Sequence, residues 1–185
     1  MVKKSQFILV SQLKEKLMEF PGIVSSLEKK DPFFVEKTLS WLKSAEEIFS
    51  NNNISEVSEI AGFRANILAG KISEERGFNG KKNQVKIAAN LLYNAQNCVL
   101  NVLLPHEGKM NECRDITKQL LALTAQTKTQ HYTSEMNFED FIQKVWWHIL
   151  SNPDLNIGGV KLKSMLSEMD IILLIGDEID INDFS

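Results

Sequence analysis

A chain of 185 residues, 43% apolar and 24% charged, has the composition of one globular domain with at most a small appendage, which excludes disordered, collagen-like and low-complexity structure. Its longest apolar runs, Phe7–Val10 and Ile171–Ile175, fall far short of the roughly 18 residues a membrane-spanning helix needs, so no membrane partner is expected. The formal net charge of −3 is too small to name a partner, and the basic start leads into too short an apolar piece for a secretory signal, so a cytoplasmic protein is expected.

Apolar positions recur at helical spacing and only four prolines interrupt them. The predicted fold class is all-α: about six to seven helices around a long central antiparallel helical hairpin, with a small C-terminal helical unit. Leu9, Leu13, Leu17 and Phe20 predict a first helix over 6–20 that ends near Pro21-Gly22, with a short turn over 24–29. Asp31-Pro32 signals the next start, because the carboxylate accepts orphan backbone N–H groups and proline suits the first helical position. That helix carries Val35, Leu39, Leu42, Ala45, Ile48 and Phe49 and stops at Asn51–Asn53. Ser55 is expected to cap a third helix, lined by Val57, Ile60, Ala61, Arg64, Ile67 and Leu68 and broken over 77–80.

The most regular segment is 81–103, where Val85, Ala88, Leu92, Ala95, Val99 and Val102 form a heptad-like seam. Leu104-Pro105 is expected to turn the chain into a second arm over 106–125, with Met110, Cys113, Ile116, Leu120 and Leu123 inward, completing the hairpin. A polar loop over 126–136 divides a bundle at 1–125 from a C-terminal unit at 137–185, the two expected to pack as one domain. Asn137 with Asp140 starts a helix with an aromatic face at Phe138 and Phe141 that ends before Pro153. Gly158-Gly159 reads as a break before a short helix over 160–169, and 170–184 suits either a short strand or a buried helical turn.

The charge is unevenly spread. Residues 64–86 carry six bases against Glu74 and Glu75, whereas the last 19 residues hold six acids and no base. The five apolar residues 171–175 are expected to dock the start of that acidic segment.

Motifs for chemistry are thin. His106 and Glu107 are adjacent and point apart on a helix, His148 reads as structural at the edge of the aromatic face, and His131 lies in the polar loop. Cys98 and Cys113 sit in apolar helical patterns without metal or redox spacing and are read as reduced core residues. Gly158-Gly159 lacks the Gly-Lys-Ser/Thr ending of a phosphate loop. No catalytic residue, metal site or cofactor is therefore assigned.

Four features remain. Asn90, Asn94, Asn97 and Asn101 form a polar stripe opposite the seam. The basic turn at 76–82 offers Arg76, Lys81 and Lys82 to phosphates and Phe78 for stacking. Of Trp146 and Trp147, at most one can enter a single core face, leaving the other for an interface. Asp177, Glu178, Asp180 and Asp183 make an acidic strip. The sequence is read as a non-enzymatic interaction or regulatory protein binding another protein or itself through Trp146, Trp147 and the acidic strip. The alternative is a nucleic-acid-binding protein using residues 64–86.

Overall fold

A computed structural model describes residues 4–72 and 80–184; among them the chain is all-α, with seven α-helices, one 3-10 helix and no strand. It divides into two compact units, Ile8–Pro105 and Met1–Phe7 with His106–Ser185.

The Ile8–Pro105 unit holds most of α1 (Gln6–Glu28), then α2 (Phe34–Asn52), α3 (Val57–Ile72) and the first part of α4 (Gly80–Thr127). The expected stop at Pro21 does not occur; the predicted turn over 24–29 is the end of the same helix. An interior proline removes a backbone hydrogen bond and costs about 3 kcal/mol. Here Pro21 and Gly22 face solvent while Phe20, Ile23 and Ser26 are buried, so packing on the opposite side holds the helix through the defect. Phe20 meets Trp41 and Tyr93 with ring centroids 5.8 and 5.9 Å apart, and Trp41 Nε1 donates to the Lys16 carbonyl at 2.9 Å. The Asp31 carboxylate accepts from the Phe33 N–H and Lys37, but α2 begins only at Phe34, one short turn later than the Asp-Pro signal. Ser55 does not act as a helix-capping acceptor in the expected way; its hydroxyl donates to Glu56.

Three helices end on left-handed residues that are not glycine: Lys30, Asn53 and Lys128, with φ of 53°, 55° and 52°. At the first two, the following N–H groups of Asp31 and Ile54 reach back to the Ser26 and Phe49 carbonyls, which closes the helix end. Helix α3 is finished from outside itself: the Asn83 side-chain amide donates to the Gly70 carbonyl at 3.1 Å and that of Gln84 to the Ile67 carbonyl at 3.2 Å. The approach is close, since a Cβ on Gly70 would lie 2.6 Å from Ile87 Cδ1.

The expected central hairpin is replaced by one helix. α4 runs for 48 residues straight through Pro105. The buried positions keep one phase on both sides of it: Val99, Val102, Met110, Cys113, Thr117, Leu120 and Thr124 continue the spacing set by Ala88, Leu92 and Ala95. Pro105 itself is exposed, and so is Asn101, whose carbonyl loses the proline's missing N–H and remains beside water. Thr117 and Thr124 enter the core because each hydroxyl donates to the carbonyl four residues back, at 2.9 and 2.7 Å. Leu123, expected inward, falls off this phase and is exposed.

In the other unit, Asn137 caps α5 (Phe138–Ser151) as predicted, accepting from the N–H groups of Glu139 and Asp140. Gly158-Gly159 is not a break but part of α6 (Asn156–Met165). A Cβ on Gly158 would sit 2.8 Å from Leu120 Cδ2, so the glycine permits close packing there. Of the two readings of 171–175 the buried helical one holds: they lie in α7 (Glu168–Glu178), with Ile171, Leu174 and Ile175 buried, and a 3-10 helix follows at Ile181–Phe184. The apolar half of the acidic segment is thus docked as expected.

Leu92, fully buried in the α4 seam, should cost about 2–5 kcal/mol when cut to alanine. Chemical denaturation of Leu92→Ala beside the wild type checks this.

Candidate functional site

Successive residues on a helix point about 100° apart, and α5 separates its two tryptophans accordingly. Trp146 is 1% exposed, packed near Gly159 of α6, and among the described residues its indole N–H meets no acceptor. Trp147 is 65% exposed. Other apolar side chains of this unit also face solvent at helical spacing: Ile157 and Val160 on α6, Met169 and Leu173 on α7. Single exposed apolar residues are ordinary, and it is the large indole of Trp147 that stands out among them.

The acidic strip is not uniform. Asp177 and Asp183 are exposed. Glu178 is already engaged, by Arg114 and by Lys118 at 3.3 Å, so it is held by α4 of its own unit. Asp180 accepts from the backbone N–H and the side-chain amide of Asn182, at 3.0 and 2.8 Å.

The most connected polar group was not singled out from the sequence. Asp170 is fully buried, and its carboxylate accepts from the Ser5 hydroxyl, from the Gln6 N–H at 3.0 Å and from the Ser167 hydroxyl at 2.8 Å. Ser167 in turn accepts from the Asp170 N–H at 3.1 Å, a reciprocal cap on α7. Gln6 Oε1 then meets His106 Nδ1 at 2.7 Å. The Ser-x-x-Asp spacing was the available signal; the reach to Ser5 and Gln6 had none.

The residues of the nucleic-acid reading are dispersed. Arg76 and Phe78 lie outside the described residues. Lys81 and Lys82 are exposed on the first turn of α4, which holds no acid. Arg64, at the start of the basic segment, is bound by Glu46 through two hydrogen bonds of 2.7 and 3.3 Å, and this partner raises its already high pKa. Asn90, Asn94, Asn97 and Asn101 are all exposed; Asn90 also lines an open groove of about 460 Å³ with Asn66, Gly70 and Ile87. A second open groove, about 570 Å³ between α1 and α2, contains Lys16 and Lys37, each paired to an acid, Glu19 and Asp31.

Both thiols are buried and unbridged. Burial pushes the Cys98 thiol from its ordinary 9.0 up to about 12, helped by the charge and hydrogen bond of Glu59. Burial also raises Cys113. Neither supplies a thiolate near neutral pH. Among the described residues no cluster of His, Cys, Asp or Glu could hold a metal ion, and no helix is long and apolar enough to cross a membrane. Comparison with known protein families, curated proteins and solved structures gives no match.

Removing the Asp170 carboxylate takes the acceptor from three half-buried donors and should cost about 1–3 kcal/mol, measured by unfolding of Asp170→Ala. A raised thiol pKa favours the native state while the thiol stays neutral, and that contribution is lost as pH rises from 9.0 to about 12. Over that range Cys98→Ala should lose less stability than the wild type, read from melts at stepped pH.

Proposed function

We propose that this chain is a non-enzymatic helical interaction or regulatory protein that binds another protein, or a second copy of itself, through the Trp147 side of α5. One observation carries the reading: an indole 65% exposed on an ordered helix, directly after one that is wholly buried. Large amphipathic rings kept in water are costly to solubility and are the residues that most often anchor interfaces. Ile157, Val160, Met169 and Leu173 add apolar area in the same unit. Asp177 and Asp183 supply exposed carboxylates, while Glu178 is spent inside the unit. Inert thiols support the non-enzymatic part, and their unbridged state supports a cytoplasmic location.

Trp147→Ser should keep the wild-type melting temperature and lose the association. Light scattering over a concentration series reads self-binding, and affinity capture with wild-type and variant baits reads a foreign partner. Identical masses and identical captured proteins for the two baits would overturn the reading.

The exposed pair Lys81 and Lys82 on an acid-free first helical turn favours nucleic acid as the second reading. In that case binding is present at about 50 mM salt and weakens steeply as salt rises, because phosphate contacts release counterions. The double variant Lys81→Glu, Lys82→Glu should then abolish it. A wild-type protein that binds neither single-stranded nor duplex nucleic acid at low salt removes this reading.

A further inference from the structure

Beyond α7 the chain makes a small, self-contained turn. Ile179 closes the helix in an extended conformation, and Asp180 then organises residues 181–184: its side chain accepts from Asn182, and its carbonyl accepts from the Asp183 N–H at 3.1 Å. The outcome of this turn is the placement of one ring. Phe184 is 2% exposed, whereas Ile181, Asn182 and Asp183 are exposed. The ring meets Phe141 edge-on at 5.6 Å, inside a cluster where Tyr132 lies 5.1 Å from Phe141 and 6.4 Å from Phe138. The register is fixed by the main chain, since the Tyr132 N–H donates to the Phe184 carbonyl at 2.7 Å.

This is how short peptides are commonly bound: an aromatic anchor in a preformed seat, a backbone hydrogen bond beside it, and flanking residues left in water. We propose that the seat formed by the Phe141 ring and the Tyr132 backbone is a peptide-recognition site, and that residues 180–184 are its occupant in cis. The ligand class is a short Asp-x-Asn-Asp-Phe type turn, in which an aspartate side chain pre-organises the backbone and a phenylalanine inserts. The tethered copy acts at high effective concentration and competes with any segment offered in trans. The site is separate from Trp147 and does not depend on its role.

The probe is a fluorescein-labelled peptide copying residues 176–185, titrated by anisotropy into full-length protein. Phe184→Ala, which empties the seat, should bind it at least about tenfold more tightly than the wild type, because the competing closed state is gone. A peptide carrying the same Phe-to-Ala change should bind neither protein. Equal affinity for wild type and variant, or no binding to a variant whose circular dichroism matches the wild type, overturns the proposal. A Phe184→Ala chain that no longer folds overturns it as well, since Phe184 is then an ordinary core residue. In the wild type, amide exchange at Tyr132 should be faster than at Val145 in the core of α5; equal protection counts against a displaceable occupant.

Discussion

A buried carboxylate is tolerable only if hydrogen bonds replace the water it has lost. Asp170 meets that condition with three donors drawn from two distant stretches of chain, residues 5–6 and residue 167. The same side chain starts two helices: it shares a reciprocal cap with Ser167 at the head of α7 and accepts the first N–H of α1. Residues 5–6, the beginning of α7 and, through Gln6, His106 are all joined by hydrogen bonds to this one carboxylate. Helix α7 needs such a start, because the β-branched run Ile171-Ile172 is not a strong helix former on its own.

Fold class was legible because helical spacing is written almost everywhere, and the cap at Asn137 was legible because its chemistry is local. What misled was proline. At both Pro21 and Pro105 the local rule predicts an end, and at both the buried phase continues across it. For α4 the continuation was visible in principle, but its carriers Thr117 and Thr124 are polar by type and apolar only in effect, since each hydroxyl is satisfied within its own helix. An inward set chosen by apolar type leaves both out, and Leu104-Pro105 read as a turn then gives a hairpin. Gly158-Gly159 misled in the same way: the pair looks like a break, yet a Cβ would crowd Leu120 at the first glycine and Leu150 at the second.

The candidate sites divide along a similar line. That one of two neighbouring tryptophans must face outward is a consequence of helix geometry and needs no tertiary knowledge. That Glu178 is bound by Arg114 and Lys118, 64 and 60 positions away in sequence, depends on how α7 packs and is invisible to local spacing. The same holds for Arg64, whose charge counts toward a basic segment on paper but is met by Glu46 in the fold.

The three left-handed helix ends carry a consequence of their own. A residue with a side chain held at positive φ is strained by roughly 1 kcal/mol relative to glycine. Lys30 and Lys128 place a cation near the negative end of a helix, which offsets part of that strain and does so less well as salt rises. The chain therefore keeps a reserve of stability unused at its helix ends, distributed over three separate positions, and two of those ends respond to ionic strength through the field of their own helix.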